Sequence, residues 1–331
     1  LRRLVAACLV VTALLTGCGT GESSSHLRVS DTLVPATPAD SPPTATTPAG
    51  TVLPAPPADL TVLDPATNTL ALAGAGRPKL TLFDTRTPNK PPRTIPLPGP
   101  AAGMRKTGKA TLLVSIPDND LVVRVNTTTG TLDRIPVTGG PVDAVEIQGE
   151  LVVALREPNT VVTVDNGKVQ HTADGFQEPS RLIRQGDEVL VLDSLATSLT
   201  PVTIDTGDKG AALRAGEGST HAVKDRFGRI LTIDTRGNEL MAFSTDPLIM
   251  RQRSPVDGHP YGLTYDASTD LAWTTLTASN ELVAYDVTAG QPIERHRLPT
   301  VRQPNSVTVD PATGTVYVAS ATGQGLQVVS M

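Results

Sequence analysis

One phrase occurs twice in this 331-residue chain, as DPATNTLALAG from Asp64 to Gly74 and as DPATGTVYVAS from Asp310 to Ser320. The copies stand 246 residues apart, a distance that divides into six steps of 41. Self-similarity at a period of roughly 20 to 50 residues marks a repeat architecture, in which each unit buries its apolar face against the next.

The repeat can be followed through the intervening sequence. Units open at Pro57, Pro100, Pro141, Pro179, Thr220, Pro260 and Pro304, with spacings of 43, 41, 38, 41, 40 and 44. Each opening leads into an alternating run, a turn on Gly, Asn or Asp, and a second run rich in Val and Leu, such as TLLVSI, VLVLD or VYVAS. Third runs follow in register, among them KLTLFD, LVVRVN and ELVAYD, and six units carry a fourth. Period-2 alternation between turn residues predicts strands, and four short strands in about 40 residues is the size of one propeller blade. High Gly (28) and Pro (29) suit many tight turns. The expected fold is an all-β seven-bladed propeller; six blades plus an irregular segment is the competing count.

The last unit stops at Met331 after three strands, which would leave an open strand edge. TVLPAPP at Thr51 to Pro57 aligns without a gap on TIPLPGP at Thr94 to Pro100, a fourth strand. Residues 51–55 are therefore expected to complete the last blade and close the ring.

Ahead of the repeat, Arg2 and Arg3 precede an apolar run from Leu4 to Leu15 that ends in LTGC at Cys18. The run is too short to span a bilayer and reads as a secretory signal. LTGC resembles the lipobox of bacterial lipoproteins, which implies processing after residue 17 and a lipid on Cys18. Residues 18–50 are rich in Ser, Thr, Pro and Ala and are expected to form a disordered tether. The domain reading is a signal peptide over 1–17, the lipidated Cys and tether over 18–50, and the propeller over 51–331. Cys8 leaves with the signal, so no disulfide is expected, and the processed chain has 26 basic and 33 acidic residues, a formal charge of -7. No basic stripe with interleaved aromatics is present, which argues against nucleic acid as a partner.

PNSVTVDPATGTVYVAS and NELVAYDVTAGQPI resemble the bacterial YVTN-type (YncE-like) and NHL-like β-propellers. With the export signal and Pro/Thr-rich tether, the chain also resembles propeller lipoproteins of mycobacteria, of the LppL type. The resemblance implies lipid anchoring to the cell membrane on its extracytoplasmic side. A rigid disc on a flexible tether is expected to act as a binding or scaffold module toward an envelope protein, a glycan or a small ligand.

Ligands of propellers gather where the inner strands begin. The residues after each opening predict a ligand-binding set of Asp59, Asp143, Arg181, His221, Tyr261 and Asn305, joined by His259 just before its opening. Arg181 with Asp59 and Asp143 could form an ion pair that fixes the ring or could leave the arginine for a carboxylate ligand. His221, His259 and a carboxylate such as Asp143 could instead hold a metal or share acid and base roles, the alternative of a propeller hydrolase or lyase. No local metal-ligand spacing supports that alternative, so no metal, catalytic residue or cofactor is assigned. Trp273 is expected to pack between blades, and Asp64, Asp84, Asp266 and Asp310 to make turn hydrogen bonds.

Overall fold

Seven four-stranded antiparallel sheets follow one another in this computed structural model, which describes residues 33–331 apart from Ala75. Their inner strands are Leu60–Asp64, Gly103–Gly108, Pro141–Ile147, Pro179–Gln185, Ser219–Lys224, Pro260–Asp266 and Pro304–Asp310. In the first six sheets the strands run in chain order from the inner edge to the outer, and the seven-blade count replaces the six-blade alternative. Because strand direction alternates, the start of each inner strand and the turn between second and third strands share one face. That face is called the mouth here.

The seventh sheet is assembled from both ends of the chain. Its order is Thr51–Leu53, Leu326–Val329, Thr315–Ser320 and Pro304–Asp310. Thr51 lies opposite Val328, Val52 opposite Gln327 and Leu53 opposite Leu326. The closing strand is three residues long, so the expectation of 51–55 holds for its first part. Gly50 makes the approach possible: with φ of +73°, a Cβ there would lie 2.2 Å from the Val328 carbonyl oxygen. Leu53 then joins a core cluster with Leu70, Leu72 and Phe83 of the first blade and Tyr317, Ala319 and Leu326 of the last.

The same logic repeats around the ring. Apolar side chains from successive sheets interlock, as Leu80, Leu82 and Ile95 do with Leu112, Val114 and Val123. Trp273 is 1% exposed and packs with Val307, Val316 and Val318 of the next blade. Burial of such side chains, each worth about 1.5 to 3 kcal/mol, sits between blades instead of in one central core.

The twin phrases make twin turns. Thr67 Oγ1 donates to Asp64 Oδ2 at 2.8 Å and Thr313 Oγ1 to Asp310 Oδ2 at 3.1 Å, while the Ala66 and Ala312 N–H groups donate to the same two carboxylates. Asp266 accepts from Ser268 and Thr269 in the same way, and Asp84 accepts from the Arg86 N–H. These bonds satisfy backbone donors at the turn and explain the aspartates.

Residues 34–50 correct one expectation. Their composition predicts part of a disordered tether, whereas the segment runs along the mouth side of blades 5 to 7. Arg236 Nη2 donates to the Val34 carbonyl at 2.7 Å. The Ala39 N–H donates to Thr277 Oγ1, and Ser41 donates through N–H to Gln303 Oε1 and through Oγ to the Thr277 carbonyl. Asn280 Nδ2 donates to the Pro42 carbonyl and Gln327 Nε2 to the Ala49 carbonyl. A Pro-rich segment cannot bury a core of its own, yet its carbonyls can be satisfied one by one by side chains that the ring supplies. The expected signal, Cys18 and the rest of the tether lie outside the described residues.

Candidate functional site

At the mouth the inner strands carry a recurrent irregularity. Register shifts fall between Pro141 and Asp143, Pro179 and Arg181, Ser219 and His221, Pro260 and Leu263, and Pro304 and Ser306. A bulge in antiparallel pairing re-aims the side chains beside it. In these five blades the bulges occupy the positions after the opening, and polar side chains there and on the inner strands of the first two blades line the ring axis.

They enclose a central cavity of about 170 Å3 whose wall includes Asp59, Thr61, Arg105, Asp143, Arg181, His221, Asn305 and Ser306. Five predicted residues are thus brought together: Asp59, Asp143, Arg181, His221 and Asn305. Tyr261 stands outside the wall, with its ring edge-on to His221 at 4.8 Å between centroids. Arg181 also lines a larger mouth pocket of about 560 Å3 with Arg156, Glu157, Asn159, Gln177 and Glu178.

The ion pair across the cavity is made by a residue the sequence reading missed. Arg105 donates through Nε to Asp143 Oδ1 at 2.7 Å and through Nη2 to Oδ2, a bidentate clamp between blades 2 and 3. Asp143 also accepts the Leu182 N–H of blade 4 at 2.8 Å and the Ala144 N–H at 3.1 Å. Its carboxylate therefore ties three blades together. Of the two arrangements expected for Arg181, an ion pair with Asp143 is therefore not formed. Arg105 escaped notice because the inner strand of blade 2 starts at Gly103, three residues after its opening proline, which shifts the cavity position out of the first two places. Gly103 permits this start: a Cβ on it would meet the Val142 carbonyl oxygen at 2.3 Å.

Arg181 donates through Nη1 to the Ser180 carbonyl at 3.1 Å. Asp59 Oδ1 accepts from Asn305 Nδ2 at 3.1 Å, and Asn305 Oδ1 accepts from Gln303 Nε2 at 3.0 Å. Gln303 Nε2 also donates to the Ala39 carbonyl, so a hydrogen-bond chain links the mouth segment to the cavity. His221 has its Nδ1 enclosed without a partner. Burial, and then the nearby Arg181 guanidinium, hold its imidazole well below the ordinary value, so the ring is neutral at pH 7. Burial raises the Tyr261 hydroxyl above its ordinary value.

His259 is not brought to this cavity. It sits in the left-handed region at φ +57°, donating its N–H to Asn238 Oδ1 at 2.9 Å and accepting the Thr277 N–H at its carbonyl. Gln303 and Gly140, also at positive φ before their openings, donate their N–H groups to Asn280 and Asp120 in the same manner. The repeat itself thus identifies His259 as a turn residue. Among the described residues, no group of three His, Cys, Asp or Glu side chains is placed to hold a metal ion.

Fold and site together define a seven-bladed β-propeller with a polar cavity at the mouth of its ring. No family model matches the chain, and no curated protein does. Solved structures share the fold. Hydrazine synthase from Kuenenia stuttgartiensis superposes with a TM-score of 0.71 at 15% identity, over 87% of this chain and 98% of that one. Virginiamycin B lyase from Staphylococcus aureus gives 0.67 at 12%, over 87% and 97%. A chain of the mitotic checkpoint complex gives 0.73 at 12%, over 91% and 99%. At such identities the likeness establishes the propeller alone.

Proposed function

We propose that this chain is an exported lipoprotein, anchored through Cys18 on the extracytoplasmic side of the cell membrane, whose propeller binds an envelope protein, a glycan or a small ligand at its mouth. The observation that carries the binding role is the central cavity, where side chains from successive blades converge on one small polar space beside a larger pocket. The anchoring role rests on the basic start, apolar run and LTGC of the sequence. A lipid-modified cysteine with two or more acyl chains holds a soluble domain durably at a membrane.

The hydrolase or lyase alternative requires His221, His259 and a carboxylate in one place. His221 alone of the two histidines lines the cavity, and Asp143 is engaged by Arg105. The arrangement favours binding over that catalysis.

Two measurements test the proposal. Metabolic labelling with an alkyne fatty acid should mark the chain and fail in Cys18→Ser. A photo-crosslinking residue at Ser180, on the mouth, should capture a partner in living cells, whereas one at Asn166, on the opposite face, should not. Absence of label, or capture independent of the face, would contradict it.

A further inference from the structure

The ion-pair arrangement determines what the mouth can take. Two arginines and two aspartates line the central cavity, but they are not equivalent. Arg105 and Asp143 neutralise each other in a bidentate clamp, and the remaining capacity of Asp143 is used by two backbone N–H groups. Asp59 is held by the Asn305 amide. Arg181, by contrast, reaches a single protein acceptor, the Ser180 carbonyl, and forms no carboxylate pair among the described residues. A guanidinium has five N–H donors in a fixed fork. Arg181 lines both the central cavity and the larger mouth pocket, and the Ser180 carbonyl takes only one of its donors.

We propose that Arg181 is the anion-binding residue of the mouth, and that its ligand carries a single carboxylate seated on the guanidinium while a polar body extends into the adjoining pocket. This rests on the binding role proposed above and adds the chemical class of the ligand. Planar bidentate recognition suits a carboxylate, as it does a phosphate. The surroundings decide between them. Glu157 and Glu178 line the outer pocket, while Arg156 is already paired with Asp118 at 2.8 Å. The single available guanidinium neutralises one negative charge on a ligand, and the two glutamates of the outer pocket oppose a second, which favours a monoanion over a dianion or polyanion. The outer pocket adds Asn159, Gln177 and Ser180, which offer hydrogen bonds to hydroxyl or amide groups and no aromatic face for an apolar body. His221, kept neutral, contributes its unpartnered Nδ1 without a second positive charge.

The test is a titration of the detergent-purified full chain with acetate as the minimal probe and D-glucuronate as the probe with a polar body, followed by calorimetry and saturation-transfer NMR. Both should bind saturably, glucuronate the more tightly, and the methyl ester of glucuronate should not bind. Arg181→Gln should weaken both acids roughly tenfold or more, as loss of a hydrogen-bonded charge requires, with Arg181→Lys between. Inorganic phosphate should not displace glucuronate. In the unsubstituted protein glucuronate should protect Arg181, but not the exposed Arg86, from phenylglyoxal, read by peptide mass, which keeps the test independent of how the variants fold. Failure of both acids to bind, affinity unchanged in Arg181→Gln, displacement by phosphate, or absence of protection would each overturn the assignment. Capture of a partner from Ser180 would survive those failures, so the ligand class and the binding role are tested separately.

Discussion

Arg105 and Asp143 stand on neighbouring blades, and the guanidinium of one closes on the carboxylate of the other, whose side chain is only 3% exposed. Breaking a buried pair from one side leaves an uncompensated charge, which costs more than the pair contributes over an apolar substitute. Arg105→Met should therefore lower unfolding free energy by about 3 kcal/mol in urea titrations. A loss below about 1 kcal/mol would show that the pair does not hold the ring.

His221 links stability to pH. Its folded pKa is depressed by burial and Arg181, whereas the unfolded imidazole titrates near about 6.5. Between the two values the unfolded state binds the extra proton, so stability is full above the unfolded value and declines as pH falls below it. The melting temperature should drop on acidification from pH 7.5 to 5.5, and His221→Gln should flatten that part of the profile. An identical profile in the variant would place the titration elsewhere.

Gln303 fastens the mouth segment, accepting from Ser41, donating to the Ala39 carbonyl and reaching Asn305. Its own φ is +54°, a conformation asparagine tolerates. Gln303→Asn keeps the backbone and shortens the side chain, so limited proteolysis should cut within residues 34–48 sooner than in the unsubstituted chain. Equal resistance would mean that the other contacts suffice.

The architecture was largely legible in the sequence because each blade repeats its turns. The Asp64 and Asp310 carboxylates cap the same two positions in the same way, and a period of 41 follows from that. Closure by Thr51–Leu53 was legible too, since one strand was missing at the end and one similar run stood unassigned at the start. Side-chain pairing across the axis was less so. Whether Arg105 or Arg181 meets Asp143 depends on where each inner strand begins relative to its proline, a local offset that no period records. Residues 34–50 were misread because their composition predicts no core, and their order comes from acceptors satisfied by Arg236, Asn280 and Gln327.

Gly50→Ala should weaken closure. The added Cβ would meet the Val328 carbonyl, and the positive φ disfavours any side chain, together costing about 2 kcal/mol or more. Hydrogen exchange should then quicken at Thr51–Leu53 and Leu326–Val329 before it does in blades 2 to 5; uniform exchange would argue against a local latch.

The seven-bladed ring closed by its own early strand is tested most directly by a cysteine pair, T51C with V328C, in a chain whose only other cysteines are Cys8 and Cys18, both replaced by serine. Facing residues of antiparallel strands lie roughly 4.5 to 5.5 Å apart at Cα, within disulfide reach. Mild oxidation should give one intramolecular disulfide in the monomer, with a raised melting temperature. Persistent free thiols, or disulfides found only between chains, would contradict the closed ring.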